Sequence, residues 1–121
     1  MNDVQKNIEF TERPSFQDVD LLTEKINKET PEYGEAVPFG FFIKDDVGIL
    51  IAGVNGYNIY GAIEIDQLWV DKPHRGKGLA RNLMDRVHAL GEKDKCKFST
   101  VQTMSFQGAE GFYRKLGYVE T

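Results

Sequence analysis

The feature that most constrains the fold is a β-rich stretch, a turn with two glycines and an amphipathic run, in immediate succession between residues 62 and 92. The segment "AIEIDQLWV" alternates and is rich in β-branched residues, which predicts a strand over 62–70. In "LARNLMDRVHALGE", apolar residues recur at helical spacing, so we predict a helix that begins near Leu79 and is capped by Gly91. A short strand, "KFSTVQTM", comes next, and two neighbouring strands joined by a crossover helix run parallel.

The remaining segments predict a mixed sheet in one domain. "IEFTERP" predicts a short first strand over 8–13, and the capped apolar pattern after it predicts a helix over 16–29. "FGFFIKDDVGILIAGVNGY" predicts a hairpin with arms at 39–44 and 47–54, and "GAEGFYRKLGY" predicts a short final helix. The predicted fold class is therefore α/β, in the order β-α-β-β-β-α-β-α, with antiparallel and then parallel pairing and with flanking helices. We expect a single domain over 1–121.

Composition excludes several classes of function. The chain has 121 residues and a net charge of −4, which argues against nucleic acid and anionic membranes as partners. Its longest apolar run, over 47–54, is too short to cross a bilayer. With one cysteine, Cys96, and two histidines, the sequence shows no metal-binding spacing, so we predict no metal site. The N-terminal segment lacks the apolar region of a signal peptide, and we expect a cytoplasmic protein.

The turn "HRGKGLA" has two interpretations. A loop that leads into a helix N-terminus presents backbone N–H groups without helical partners, and the helix dipole favours an anion there. Gly76 and Gly78 permit close backbone approach, and Arg75 and Lys77 add positive charge. The alternative is a solvated turn with incidental cations. Neither the P-loop pattern nor the dinucleotide fingerprint G-x-G-x-x-G fits, because Arg81 stands where the last glycine is required.

Two motifs together resemble those of the GNAT superfamily of N-acetyltransferases. The run "RGKGLA" matches its acetyl-CoA-binding signature, R/Q-x-x-G-x-G/A. The run "GAEGFYRKLGY" matches its late helix, in which an alanine precedes a tyrosine by four residues and a leucine, a glycine and an aromatic residue end the element. The matching positions are Ala109, Tyr113, Leu116, Gly117 and Tyr118. The resemblance implies a GNAT-like fold and an acetyl-CoA-dependent N-acetyltransferase.

The resemblance also implies where coenzyme A would bind. Its pyrophosphate would lie on the backbone N–H groups of the glycine turn, and its pantetheine arm would pair with the backbone at the end of the strand over 62–70. Gln107 would make a polar contact near the place where many members carry an asparagine. The implied cofactor-binding residues are Leu68, Trp69, Val70, Arg75, Gly76, Lys77, Gly78, Leu79, Ala80 and Gln107. For the side chains of Leu68 and Val70 themselves we expect core packing.

Alternation predicts two faces for the strand over 62–70. One face would carry Glu64, Asp66, Leu68 and Val70, and the other Ile63, Ile65, Gln67 and Trp69.

Acetyl transfer to an amine needs a base for the protonated nucleophile and benefits from an acid for the departing thiolate. Glu64 is our first candidate for the base and Asp66 the second, acting directly or through water. The alternative is that the two carboxylates form salt bridges or lie on a solvated face. The resemblance implies that Tyr113 hydrogen-bonds the coenzyme sulfur and protonates the thiolate, and the alternative is a packing aromatic.

Family members usually continue past the "LGY" segment with two more strands, whereas this chain ends at Thr121. We therefore expect a sheet without the usual C-terminal strands, and homodimerisation through an exposed sheet edge is a hypothesis. The expected acceptor is a primary amine of a small molecule or a protein, bound by residues 28–42 and the turn at 57–60. The alternatives are a non-catalytic acyl-CoA-binding or regulatory module, and a structural remnant that binds nothing.

Overall fold

The protein is described by a computed structural model that covers residues 7–102 and 108–120. The helices and strands, in chain order, are α1 (Phe16–Glu29), β1 (Ala36–Lys44), β2 (Leu50–Ile59), β3 (Ala62–Val70), α2 (Leu79–Lys93), β4 (Phe98–Val101) and α3 (Glu110–Lys115). Single turns of 3-10 helix at Pro31–Tyr33 and Lys72–His74 precede β1 and the glycine turn. Among the described helices, none is long and apolar enough to cross a membrane.

The strands form one four-stranded sheet in the order β1-β2-β3-β4. The first three strands pair antiparallel as a meander, and β3 pairs parallel with β4 over Ala62–Ile65 and Phe98–Val101. Helix α2 makes the crossover between the parallel pair. The predicted fold class, a mixed antiparallel and parallel sheet with flanking helices, is confirmed.

A β-bulge interrupts the pairing of β2 with β3. Asn55 pairs with Gln67 and Gly56 pairs with Ile65, so Asp66 is an extra residue without a partner on β2. A bulge of this kind shifts the in-and-out alternation of the bulged strand by one residue, because side chains on a strand alternate with a period of two.

The shift corrects the predicted faces of β3. Leu68 and Val70 pack against the same core cluster that contains Ile63 and Ile65, although strict alternation places the two pairs on opposite faces. Trp69, between Leu68 and Val70, therefore faces away from the core. The expectation that the side chains of Leu68 and Val70 serve in core packing is met by this arrangement.

The core lies between the sheet and α2. Leu83, Met84 and Val87 of α2 are buried, as the apolar spacing of this helix predicts. The buried residues that they meet on the sheet are Ala52, Val54, Ile63 and Ile65. Side chains of α3, including Phe112 and Tyr113, pack at the margin of the same cluster. Helix α1 buries none of its residues completely.

Helix α1 has the bounds that its sequence predicts. The Ser15 side chain accepts a hydrogen bond from the Asp18 backbone N–H at 3.1 Å, which caps the first turn. At its other end the Asn27 side chain ties the helix to the start of β1, since its Oδ1 accepts from the Ala36 N–H at 2.8 Å. The Asn27 amide nitrogen donates to the Ala36 carbonyl at 3.1 Å.

The predicted first strand over 8–13 is wrong. Residues 8–11 have no regular structure, and Ile8 and Phe10 are 81% and 85% exposed. The alternating side chains of this segment have the pattern of a strand, but the pattern does not provide a neighbouring strand to pair with. No described strand pairs with this segment. A single extended segment without a hydrogen-bonded partner is not a strand.

Two smaller predictions also differ from the structure. Gly91 lies inside α2, which continues to Lys93, and the C-cap is Asp94. Gly91 is buried because β3 passes close to it, and a Cβ there would contact Ile63 and Cys96 at 3.6–3.8 Å. The second hairpin arm extends to Ile59, since pairing with β3 continues through a segment whose Asn and Gly residues predict a turn.

Candidate functional site

The glycine turn between β3 and α2 takes a left-handed backbone conformation at two positions. Gly76 has φ 77° and Gly78 has φ 82°, and no atom outside the turn approaches within 4 Å of where a Cβ would stand. Glycine is therefore required here by backbone conformation and not by crowding. Gly78 is the N-cap of α2 and provides no side-chain cap for the first turn of the helix.

A run of backbone N–H groups in this turn has no acceptor among the described residues. Backbone hydrogen bonds end with the Arg75 N–H, which donates to the Lys72 carbonyl at 3.2 Å, and resume with the Asn82 N–H, which donates to the Gly78 carbonyl at 3.0 Å. The N–H groups of residues 76–81 lie between these bonds. Free N–H groups at a helix N-terminus form an anion-binding site, which the helix dipole reinforces.

The two cations of the turn differ in position. The Arg75 side chain folds back on the strand, and its Nε donates to the Val70 carbonyl at 2.8 Å. Lys77 is exposed at the tip of the turn. Arg75 thus holds the turn against the end of β3 and occupies one of the backbone groups that the sequence assigned to the pantetheine arm.

A cleft of about 550 Å³ opens between the end of β3, the glycine turn and α3. It is bordered by Leu68, Trp69, Val70, His74, Arg75, Gly76, Gly78, Leu79, Ala80, Arg81, Gly108, Ala109, Phe112 and Tyr113. The structure thus brings together the predicted cofactor-binding residues with two exceptions. Lys77 does not line the cleft, and Gln107 lies outside the described residues.

The cleft forms where β3 continues past its parallel neighbour. Pairing between β3 and β4 ends at Ile65 and Val101, so within the described residues the end of β3 has no strand beside it on that side. If β4 continued alongside Leu68–Val70, it would pair with their backbone N–H and C=O groups on this side. These groups instead lie at the wall of the cleft.

Tyr113, the predicted acid, lies on the wall of the cleft formed by α3. It is half-buried, and its ring stands edge-on to Phe112 and to Tyr118, with centroids 5.3 and 5.7 Å away. Burial raises the pKa of the Tyr113 phenol, and the neighbouring Tyr118 raises it further. The phenol therefore stays protonated at neutral pH and has a proton to donate.

A hydrogen-bonded group fixes the ring next to Tyr113. The Tyr118 hydroxyl lies 2.9 Å from His88 Nε2 on α2 and 2.5 Å from Ser99 Oγ on β4. Burial raises the pKa of Tyr118, and its hydrogen bond with Ser99 partly offsets this. The group ties the segment after α3 to α2 and β4, and Tyr118 in turn packs against the Tyr113 ring.

The candidate bases are not in the cleft. Glu64 and Asp66 are both exposed, and neither borders the cavity. Glu64 is paired with Tyr57 on β2 and Thr100 on β4, and Asp66 is the extra residue of the bulge. Within the described part of the chain, neither carboxylate forms a salt bridge, and no group of three or more metal-ligating side chains is present.

Sequence reasoning missed several residues at the cleft. His74 sits beside the turn, and its buried Nδ1 has no hydrogen-bond partner among the described residues, with Asp71 Oδ2 3.6 Å away. Arg81 adds a cation in the first turn of α2. Phe112 packs against the core cluster and also borders the cleft. The position of His74 inside "HRGKGLA" is the signal that could have identified it.

Fold and site together define an α/β fold in which a glycine turn with free N–H groups enters the crossover helix, beside a protonated tyrosine. The model of the acetyltransferase (GNAT) family matches residues 6–118. The chain belongs to this family.

Comparisons with individual proteins agree with this family assignment. Blasticidin-S acetyltransferase of Streptomyces morookaense is 39% identical over 72 residues, which are 59% of this chain and 52% of that protein. The match thus spans about half the length of this curated relative. An acetyltransferase from Bacillus cereus superposes with a TM-score of 0.70 at 23% identity, over 93% of this chain and 84% of that one. AAC(6')-Iy, solved in complex with the bisubstrate analog CoA-S-monomethyl-acetylneamine, gives a TM-score of 0.61 at 18% identity, over 93% and 78%.

Proposed function

We propose that the protein is an acetyl-CoA-dependent N-acetyltransferase that acetylates a primary amine of a small molecule or a protein. The observation that carries the proposal is that five of the six residues with free backbone N–H groups border the same cleft as Tyr113, namely Gly76, Gly78, Leu79, Ala80 and Arg81. An anion-binding turn and a proton donor in this arrangement suit a cofactor that has a pyrophosphate at one end and a thioester at the other. Family membership and the blasticidin-S relative support the same activity.

The residues present fit coenzyme A. The N–H groups of residues 76–81 would bind the pyrophosphate, with Lys77 adding positive charge at the tip of the turn. The backbone of Leu68–Val70 would pair with the pantetheine arm, using groups other than the Val70 carbonyl that Arg75 occupies. When bound, acetyl-CoA supplies an activated acetyl thioester.

Tyr113 would hold the proton that the departing sulfur takes up. Its raised pKa keeps the proton on Oη at neutral pH, and Tyr118 fixes the ring from behind. The attacking amine must first lose a proton, because an ordinary amine with a pKa of about 10 is protonated near pH 7. Glu64 is the first candidate to accept that proton and Asp66 the second, and since neither borders the cleft the transfer would pass through water.

A second candidate function is a non-catalytic acyl-CoA-binding or regulatory module of the same fold. The position of Glu64 and Asp66 outside the cleft favours it, because binding the cofactor needs the turn but not a base. The two candidates share the cofactor site and differ only in turnover.

One experiment distinguishes the candidates. Calorimetry measures binding of acetyl-CoA, and release of free thiol measures turnover across a panel of small primary amines, blasticidin S and a lysine-containing peptide. Binding with turnover supports the transferase, binding without turnover supports the module, and absence of binding contradicts both. Arg75→Glu is expected to weaken cofactor binding, and Glu64→Gln to lower kcat by about 10-fold or more. An unchanged kcat in Glu64→Gln removes the base assignment.

A further inference from the structure

The sheet face that points away from α2 carries a row of two aromatic side chains with a glycine between them. Gly53 on β2 pairs with Phe42 on β1 and with Trp69 on β3, and residues paired across neighbouring strands share a face. Phe42 is 60% exposed and Trp69 is 46% exposed. Because the central residue has no side chain, the row forms a shallow apolar trough, in which the Phe42 ring covers Gly53 and Trp69 stands on the far side.

The Phe42 ring lies flat on this face. A Cβ built at Gly53 would stand 2.8 Å from Phe42 Cδ1, and one built at Gly40 would stand 2.6 Å from its Cε2. These atoms belong to opposite edges of the ring, so the ring is laid across the backbone at both glycines. One ring face is against the sheet and the other is open to a partner.

The trough is continuous with the cofactor cleft through Trp69. This residue borders the cleft at the end of β3 and also forms one wall of the trough. A molecule in the trough therefore lies next to the segment where the thioester of the proposed cofactor would be held. Neither Phe42 nor Gly53 borders the cleft itself.

The bulge in β3 places a carboxylate on the same face. Gly53, Asn55 and Tyr57 alternate along β2, and their partners on β3 are Trp69, Gln67 and Glu64. Glu64 is exposed and would attract a protonated amine toward this face. The face thus combines flat apolar surface with negative charge.

We propose that the trough binds the acceptor, and that the acceptor is a primary amine that carries a planar ring. The ring would stack on the open face of Phe42 and against Trp69, and the amine would reach toward the end of β3. Two stacked aromatic rings contribute more binding free energy than the area they bury accounts for. A puckered ring of the same size lacks this contribution. The identification of the bound amine as the acceptor rests on the proposed function. The stacking of its ring on Phe42 does not depend on turnover.

Direct binding tests the stacking without any cofactor. Trp69 is the only tryptophan in the chain, so its fluorescence reports on the trough. The probes are 2-phenylethylamine and 2-cyclohexylethylamine, which share the amine and the linker and differ in the flatness of the ring. We expect the phenyl amine to bind about 3- to 10-fold more tightly.

Variants of Phe42 locate the effect. Phe42→Ala and Phe42→Leu should both abolish the preference, and Phe42→Leu keeps apolar bulk without a flat ring. Phe16→Ala is the matched control, since Phe16 is 89% exposed on α1 and lies outside the trough. It should leave the preference unchanged. Equal affinities for the two amines, or a preference that survives in Phe42→Ala, overturns the inference.

A kinetic measurement separates this inference from the proposed function. With acetyl-CoA present, kcat/KM for the phenyl amine should exceed that for the cyclohexyl amine by a similar factor, and Phe42→Ala should remove the difference while KM for acetyl-CoA stays unchanged. Turnover without a preference overturns the inference and leaves the proposed function standing. A binding preference without turnover of any amine supports the trough and contradicts the transferase.

Discussion

At the residue scale, Gly56 allows β2 to approach β3 at the bulge. A Cβ at this position would overlap the carbonyl oxygen of Glu64, which is backbone and cannot rotate away. The glycines with left-handed conformation are required because of their φ angles. Glycine is required at position 56 because there is no room for a Cβ. The geometry of the bulge therefore depends on the lack of a side chain at Gly56. The same geometry determines which face of the sheet Trp69 lies on.

We expect Gly56→Ala to lower the free energy of unfolding by about 2 kcal/mol or more, because the strands must separate or the bulge must move. Urea denaturation measures the change. Gly111→Ala is the control, since nothing lies within 4 Å of its Cβ position in α3. This substitution should be neutral or stabilising by up to about 1 kcal/mol, as expected for alanine in a helix. Equal effects of the two substitutions would contradict the steric argument.

Tyr113 is the residue on which the proposed chemistry most depends. We expect Tyr113→Phe to lower kcat by about 10-fold or more with little change in acetyl-CoA binding, because only the proton donor is lost. The raised pKa also predicts how kcat depends on pH. The active form of the phenol is the protonated one, and its pKa lies above the ordinary value of 10.0. The pH profile of kcat should therefore show no falling limb from Tyr113 below about pH 10.

The control for this variant is Phe10→Leu, at an aromatic side chain that is 85% exposed and outside the cleft. Its kcat should match that of the wild type. A Tyr113→Phe variant with unchanged kcat would assign the ring to packing beside Phe112 and Tyr118.

At the element scale, the connection between β3 and α2 depends on its two left-handed glycines. Gly78→Ala forces a Cβ into a conformation that costs an L residue about 1–2 kcal/mol, although no atom obstructs it. If the turn relaxes to relieve this strain, the free N–H groups of residues 76–81 change their positions relative to the cleft. We expect acetyl-CoA affinity to fall by about 5-fold or more, measured by calorimetry.

Gly48→Ala is a matched control for Gly78→Ala. Gly48 has φ 90° in the β1–β2 turn and nothing within 4 Å of its Cβ position, so the backbone strain is the same in kind. Both variants should lose comparable stability, and only Gly78→Ala should lose cofactor affinity. A similar loss of affinity in both would mean that the turn contributes through global stability alone.

At the scale of the whole molecule, stability should fall in alkaline solution. Burial raises the pKa of Cys96 above its ordinary value of 9.0, with Asp94 adding to the effect, and burial raises those of Tyr113 and Tyr118 above 10.0. A group whose pKa is higher in the folded state stabilises that state below its unfolded pKa, and the contribution is lost as the pH rises through the folded value.

The free energy of unfolding should therefore decline from about pH 9 upward, first through Cys96 and then through the tyrosines. Urea denaturation at intervals from pH 8 to 11 measures the decline. Cys96→Ala should remove its first part and leave the tyrosine part in place. A free energy that is constant over this range would contradict the burial of all three groups.

The homodimer hypothesis also belongs to this scale and stays a prediction. Strand β4 is the last strand in the sheet order, and a cavity of about 580 Å³ lies along it, bordered in part by Phe98, Tyr118 and Val119. An edge of this kind can pair with a second copy. Light scattering should show a dimer at high concentration, and a monomer throughout would contradict the hypothesis.

Much of the fold could be predicted because its causes are local. The Ser15 cap and apolar spacing define α1, the alternation of "AIEIDQLWV" defines β3, and the glycine turn followed by the stripe of α2 defines the crossover. The residues of the glycine turn follow from the same local signal, since left-handed conformation at Gly76 and Gly78 is a property of the residue type. The segment over 8–13 failed because a strand requires a partner, which no local pattern supplies.

The sequence by itself determined which segments become helices and strands from residue 16 onward, and it determined that a turn rich in free N–H groups begins α2. Only the tertiary structure decided where β3 bulges, because the extra residue at Asp66 arises from how β2 and β3 fit together around Gly56. That single shift moves Leu68 and Val70 into the core and brings Trp69 to the face of Glu64. Side-chain alternation has a period of two, so one inserted residue reverses everything after it, and the site that results could not be predicted from the strand alone.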